Sequence, residues 1–370
     1  MNQDALSQLT PLLLDWYAQN ARSLPWRTPT QPNAYHTWVS EIMLQQTRVT
    51  AVLGYYHRFM AAFPTVQDLA AADPERLLKL WEGLGYYSRA RNLQKAAQVL
   101  VTEYGGVFPA SYDALLTLPG IGDYTAGAIL SMALGQRVPA VDGNVLRVAA
   151  RVTDCHEDVT DPRVRKLFRA RIAAVLPEAS RTGAYNQALM DLGATICLPN
   201  GAPLCDSCPA RALCLGRQAG TAAALPVKTP KKARRIEEKT VLLLLSPEGV
   251  ALGKRAETGL LAGLWEFPNR PGTLDEAAVG DWVLSLGLIP VQWEKKLSAT
   301  HIFTHVEWHM TGFSLRVKSA PPPEGLLWAD SDSLRRLAVP SAFSKFSQET
   351  QVLLTEDGLR HSMAGDDLPL

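Results

Sequence analysis

The chain has 370 residues, a formal net charge of +1, 47% hydrophobic residues and 20% charged residues. That length predicts two or three domains with room for a sizeable core. The near-neutral total withholds the strong basicity of many nucleic-acid binders but leaves room for a local basic face. No apolar run approaches the roughly 18–20 residues of a bilayer span, and residues 1–14 carry Asp4 but no basic start of an export signal, so no membrane role and a cytoplasmic, nucleoid-associated location are expected.

The first part of the chain reads as helix. Residues 7–19 are amphipathic, and 35–46 carry Trp38, Val39, Ile42 and Met43 at helical spacing. Residues 50–62 stop at Phe63-Pro64, 68–71 form a short helix, and Asp73-Pro74-Glu75 supplies an N-cap, a proline at the first position and an acid in the first turn. Residues 90–104 stop at Gly105-Gly106, and further helices are expected over 113–116, 125–133, 144–152, 164–175 and 185–194. Residues 219–238, with an alanine run, prolines and basic residues, read as a linker.

After the linker the pattern turns to strand: 240–245, a turn at Ser246-Pro247-Glu248-Gly249, and a hairpin partner over 250–254. A helix is expected over 278–286, strands over 301–308, 310–317 and 326–328, and a loose tail over 360–370. Two basic clusters, Arg163, Arg165, Lys166, Arg169 and Arg171, then Lys231, Lys232, Arg234 and Arg235, are equally compatible with a solvated face and with nucleic acid.

Four of the five cysteines, Cys197, Cys205, Cys208 and Cys214, have the spacing C-x7-C-x2-C-x5-C. Clustered thiols in a chain without an export signal argue for a metal centre rather than disulfides. Thiolates suit zinc or iron–sulfur clusters, and the spacing alone leaves both open. Cys155 stands apart as a buried thiol. Leu118-Pro119-Gly120-Ile121-Gly122, followed at once by a helix, makes a hairpin whose backbone can approach a phosphate closely. Glu41, among apolar neighbours, reads by itself as a helix-surface acid, and Asp142 in Val141-Asp142-Gly143-Asn144 as an N-cap.

The cysteine loop, the Leu-Pro-Gly-Ile-Gly hairpin and both acidic segments resemble the endonuclease III and MutY group of base-excision glycosylases, and the MutY family in particular. The family loop has six residues in its first gap, whereas this chain has seven, Leu198 to Leu204. The resemblance implies a [4Fe–4S] cluster on Cys197, Cys205, Cys208 and Cys214, with Gly120 and Gly122 gripping DNA phosphate. Glu41 would be the general acid and Asp142 the support for the sugar cation, with Tyr124 and Asn144 positioning Asp142 and the sugar or, equally, serving as structural hydrogen-bond partners. Tyr124 stands where bifunctional members carry a lysine, so no Schiff-base nucleophile is evident and hydrolysis by water is expected.

Adenine would be extruded from the duplex, with Gln46 and Tyr87 as wedges and Arg22, Trp26, Leu44 and Gln187 lining its pocket. Tyr86 and Tyr87 equally suit a core. The segment 259–268, Gly-Leu-Leu-Ala-Gly-Leu-Trp-Glu-Phe-Pro, resembles the NUDIX-like domain of MutY, without the acidic box that diphosphate hydrolysis needs. His301-Ile302-Phe303-Thr304-His305 resembles the loop that senses 8-oxoguanine, with Thr304 where the family has serine, and equally suits an ordinary strand. His301, Phe303, Thr304 and His305 would read the partner base.

The expected architecture is therefore multidomain: an all-α helix-hairpin-helix glycosylase domain with a [4Fe–4S] loop over 1–218, a linker over 219–238, and an α+β NUDIX-like recognition domain over 239–359. The expected activity is that of a monomeric, monofunctional adenine glycosylase on double-stranded DNA with adenine opposite 8-oxoguanine or guanine. Three other readings are weighed against it. An endonuclease III-like strand-cleaving enzyme lacks its lysine, a non-catalytic mismatch binder would not need both acids, and a nucleotide-pool hydrolase lacks its box.

Overall fold

The structure, a computed structural model, describes residues 3–27, 32–230 and 233–364, with side chains as far as residue 355. Lys231, Lys232 and the end of the expected loose tail, from 365, lie outside the described residues. The chain divides into two compact units, one of residues 1–71 with 92–230, the other of 72–91 with 231–370.

The helices in chain order are α1 (Gln3–Asn20), α2 (Ala34–Leu44), α3 (Val49–Ala62), α4 (Val66–Ala70), α5 (Pro74–Leu80), α6 (Ser88–Tyr104), α7 (Tyr112–Leu116), α8 (Asp123–Ala128), α9 (Gly143–Val152), α10 (Pro162–Ala174), α11 (Ala179–Thr195) and α12 (Leu215–Gln218). The cap read from the sequence at Asp73 is present, and other starts show the same chemistry. Asp73 and Asp161 cap α5 and α10 ahead of a proline, and Thr65 and Asp68 close a capping box on α4. The helix expected over 125–133 is α-helical only to Ala128 and loosens into a π turn over Ile129–Ala133. Ser131 inside that turn bonds the Gly127 carbonyl, and its hydroxyl accepts from the buried Asn186 amide of α11.

The core of this unit joins Leu6, Leu9 and Leu13 of α1 with Val145 and Val148 of α9, Phe168 of α10 and Tyr185, Leu189 and Leu192 of α11. α2 is buried almost all round, from Thr37 through Met43, which marks it as a central rather than a surface helix. α7 and α8 are the two arms of the hairpin. Gly120 turns between them at φ +78°, a left-handed conformation, and a Cβ there would lie 2.9 Å from Asn92 Cβ. Gly127 lets α8 press against the stretch leading to Asp142, since a Cβ there would lie 2.2 Å from the Pro139 carbonyl oxygen.

The other unit is built on a mixed sheet of β1 (Arg235–Ser246), β2 (Gly249–Lys254), β3 (Trp265–Glu266), β4 (Asn269–Pro271), β5 (Pro290–Ile302), β6 (Val306–Val317) and β7 (Leu326–Ala329). The strand order is β3-β2-β1-β6-β5, with β4 on β1 and β7 on β2. β1 and β6 run parallel, from Arg235 opposite Val306 to Leu245 opposite Arg316. α13 (Glu276–Ser285) packs Val279, Trp282 and Val283 onto Leu242 and Leu244. The opposite face buries Val241, Leu243 and Leu245 with Trp308, Phe343 and Phe346. Both faces of β1 are covered, which is why residues 241–245 are an unbroken apolar run.

Three expectations are corrected here. The first strand begins at Arg235, inside the expected linker, because residues 235–239, charged except for Ile236, pair with β6 and Glu237 accepts the Trp308 indole N–H at 2.9 Å. The expected strand over 301–308 is instead the end of β5, a tight turn, and the start of β6, closed by Phe303 N–H to the Val306 carbonyl at 2.8 Å. α14 (Ser331–Arg336) and a long α15 (Ser344–Ala364) finish the chain, so helix continues to residue 364 where looseness was expected from 360. Residues 72–91 join this unit through Lys79, whose ammonium donates to the Leu334 and Leu337 carbonyls, and Lys254, which pairs with Glu75.

Candidate active site

Glu41 sits on the buried α2 and is 7% exposed, so it is not the surface acid that the residue alone suggested. The Tyr124 hydroxyl of α8 donates to Glu41 Oε2 and lies 3.6 Å from Met190 Sδ of α11. Burial pushes the Glu41 carboxyl up to about 7. The Asp142 charge adds to the rise, while the Tyr124 hydrogen bond, Arg27 and Arg22 oppose it.

Asp142 is the N-cap of α9. One carboxylate oxygen accepts from Asn144 N–H (2.9 Å) and Val145 N–H (2.8 Å), and the other from Asn144 Nδ2 (2.7 Å). The N-cap read from the sequence is observed: the cap fixes the carboxylate, and the helix N-terminus favours its charge. Burial raises the Asp142 carboxyl above its ordinary value, opposed by these donors and by Arg147. The two acids, far apart in sequence, are close enough for each to raise the pKa of Tyr124.

Asn144 connects the site to the cysteine loop. Its Oδ1 accepts from Arg147 Nη2 at 2.8 Å, and the same guanidinium donates to the Gly193 carbonyl (2.7 Å) and, through Nε, to the Cys197 carbonyl (2.8 Å). Arg151 Nη1 lies 3.3 Å from Cys197 Sγ. Cys197, Cys205, Cys208 and Cys214 line one cavity with Val148, Leu192 and Ile196, and all are free thiols. Among the described residues no tight group of His, Cys, Asp or Glu suits a single metal ion; the thiols instead surround a shared space. Burial pushes Cys208 up to about 12 and raises Cys214, with the neighbouring cysteines adding to both. This donor set fits a polynuclear cluster that takes up several thiolate charges at once.

Of the expected adenine pocket, Gln187 of α11 accepts from the Tyr17 hydroxyl, and Arg22 Nε donates to Asp191 of the same helix at 2.7 Å. Leu44 is half-buried one turn beyond Glu41, and Trp26 is buried edge-on against Tyr56 of α3 at 5.1 Å. Sequence reasoning missed Arg27 and Asp191. Arg27 forks onto both Asp191 oxygens at 2.8 and 2.9 Å. The available signal was an acid between Leu189-Met190 and Leu192-Gly193 in an otherwise apolar stretch of helix.

Gly120 and Gly122 are exposed on the hairpin, and Gln46 is exposed at φ +60° just past α2. Tyr87, expected as a wedge, is 4% exposed. The exposed ring of the pair is Tyr86, 46% exposed at a left-handed φ of +47°. In the same unit the Tyr86 hydroxyl meets Thr304 Oγ1 at 3.0 Å. Thr304 and His305 are exposed at the β5–β6 turn. The turn is anchored by Phe303 against His301 (4.6 Å) and Trp308 (4.8 Å) and by Arg234 Nε on the Phe303 carbonyl. Burial lowers the His301 pKa.

Residues 39–174 match the HhH-GPD superfamily of base excision DNA repair proteins and residues 240–349 the NUDIX domain. A thermostable thymine-DNA glycosylase superposes with TM-score 0.52 at 26% identity, over 58% of this chain and 98% of its own. An endonuclease III bound to DNA does so with TM-score 0.50 at 24% identity, over 60% and 98%, which speaks for the fold alone. These define a helix-hairpin-helix glycosylase with a NUDIX-like C-terminal part. The rat adenine DNA glycosylase is 36% identical over 90% of this chain and 76% of its own length, and the human one 36% over 90% and 72%. That of Buchnera aphidicola from Acyrthosiphon pisum is 33% identical over 83% and 86%. The chain belongs to the adenine DNA glycosylase family. Among the described residues no helix is long and apolar enough to cross a membrane.

Proposed function

We propose that this chain is a monofunctional glycosylase of double-stranded DNA that hydrolyses the N-glycosidic bond of adenine paired with 8-oxoguanine or guanine. The observation that carries the reading is Glu41, buried, hydrogen-bonded to Tyr124 and raised to about 7, beside the hydrogen-bonded Asp142. Adenine leaves poorly until a ring nitrogen is protonated. A carboxyl that keeps its proton near neutral pH can deliver it as the C1′–N bond breaks. The sugar then carries oxocarbenium character, and Asp142, held by three donors, supplies the opposing charge. Water completes the substitution at C1′. Tyr124 in the lysine position offers no amine for a Schiff base.

The base reaches this site by extrusion from the duplex. The hairpin glycines would present backbone to phosphate, and the exposed side chains of Gln46 and Tyr86 would serve as wedges in the gap. His301 at the end of β5 and Phe303, Thr304 and His305 in the turn after it would read the partner base. Cys197, Cys205, Cys208 and Cys214 would hold a [4Fe–4S] cluster. When bound, such a cluster fixes the loop as a rigid anionic crosslink, which Arg147 and Arg151 face with positive charge.

The test is single-turnover cleavage of duplexes carrying adenine opposite 8-oxoguanine, guanine and thymine. Glu41→Gln and Asp142→Asn should each lose excision by at least about a hundredfold while still binding the mismatch, and borohydride should trap no covalent complex. Normal cleavage by Glu41→Gln removes Glu41 as the acid. A trapped complex would make the enzyme bifunctional.

A further inference from the structure

The site has a second wall that the proposed chemistry leaves without a task. α11 presents Gln187 to Tyr17, Met190 to Tyr124, Asp191 to Arg22 and Arg27, and Gly193 to Asn144, where a Cβ would lie 2.7 Å from the Asn144 Cβ. Asp191 is fully buried. Its Oδ1 takes Arg22 Nε (2.7 Å), Arg22 Nη2 (2.6 Å) and Arg27 Nη2 (2.9 Å); its Oδ2 takes Arg27 Nη1 (2.8 Å) and the Arg22 backbone N–H (3.1 Å).

A buried carboxylate needs one cation to balance it. This one has two, so the cluster keeps a surplus positive charge within electrostatic reach of Glu41 and Tyr124. Arg27, with a side chain 13% exposed against 26% for Arg22, is the less screened of the two.

We propose that Asp191 is a positioning residue for excision, holding Arg22 and Arg27 in place and cancelling one of their two charges so that the Glu41 carboxyl works beside a single net cation. This rests on the reading of Glu41 as the acid. The groups that act on Glu41 are Tyr124 from α8, Asp142 from the start of α9, and Arg22 and Arg27 from the segment before α2. Asp191 of α11 and Tyr17 of α1 act on it through Arg27. Burial and Asp142 favour the protonated acid, and the surplus cation opposes them. The balance lets one carboxyl both give and regain a proton near neutral pH.

The arrangement makes an opposed prediction for the two halves of one ion pair. Asp191→Asn leaves two uncompensated guanidinium groups, so the alkaline limb of the single-turnover rate should move to lower pH. Arg27→Gln leaves Arg22 and Asp191 balanced, so the limb should move to higher pH. A shift of about half a pH unit is about threefold in rate at fixed pH on the limb. The full-length, cluster-loaded enzyme is used, and the Glu41 carboxyl is followed in parallel by carbon-13 NMR, assigned with Glu41→Gln.

A purely structural role would lower the thermal midpoint of both variants and move neither limb. No shift, or shifts in the same direction in both rate and titration, overturns the proposal. Should Asp191→Asn fail to fold, Arg22→Gln joins Arg27→Gln, and both must move to higher pH; an unmoved titration overturns the proposal. Opposed shifts in the titration without any in the rate support the charge arrangement and overturn Glu41 as the acid.

Discussion

Replacing Glu41 by glutamine should make the protein more stable as it makes it inactive, and the gain should depend on pH. Glu41 is buried on α2, and its carboxyl rises from an ordinary 4.5 to about 7. A group raised in the folded state costs nothing where both states hold the proton, below about 4.5. The cost builds as the unfolded carboxyl ionises and the folded one does not, and it is complete above about pH 7. A rise of about 2.5 pH units corresponds to about 3 kcal/mol. Glutamine keeps the shape and an oxygen to accept from Tyr124, but never ionises. Relative to the wild type, Glu41→Gln should therefore gain about 2 to 3 kcal/mol more at pH 8 than at pH 5.

At about 2–4 °C per kcal/mol for a unit of roughly 200 residues, that is a thermal midpoint about 5–10 °C further above the wild type at pH 8 than at pH 5. Thermal unfolding of both proteins across that range measures it. A constant difference between the two midpoints at all pH values would refute the claim that Glu41 lies in a desolvating site, and with it the reason it can act as an acid.

Tyr124→Phe removes the donor that favours ionised Glu41, so the alkaline limb of excision should move to higher pH; a move downward would contradict the hydrogen bond. Arg147→Gln cuts the link between Asn144, Gly193 and Cys197 and should cost about 2–3 kcal/mol, read as a lower midpoint with loss of bound iron and of excision. Gly127→Ala sets a methyl 2.2 Å from the Pro139 carbonyl oxygen and should destabilise by about 1–3 kcal/mol, seen as a midpoint drop of a few degrees; an unchanged midpoint would contradict that close approach. Thr304→Val keeps the volume and removes the hydroxyl. The preference for adenine opposite 8-oxoguanine over guanine should shrink while the rate opposite guanine holds, and an unchanged ratio would remove the β5–β6 turn from partner-base reading.

The sequence by itself determined the helical N-terminal part and the hairpin, and it singled out the cysteine set and both acids as candidates. Each of these is written locally: capping residues before apolar periodicity, glycines two apart, thiols within one short loop. It did not determine the environment of any acid, because burial is a property of what packs around a residue. Glu41 looked like a surface acid, and only the packing of α2 against α8 and the π turn took it out of water. The same limit hid the Arg22–Arg27–Asp191 cluster, whose acid lies more than 160 residues from both arginines.

Local strain was equally illegible. The left-handed backbone of Tyr86, and the exposure of that ring beside a buried Tyr87, have no mark in a Gly-Tyr-Tyr-Ser string. In the C-terminal part the apolar run 241–245 announced a strand. Its charged beginning at Arg235 and the turn at 303–305 waited on the parallel partner β6, since pairing between distant strands satisfies backbone groups that no short window of sequence can assign.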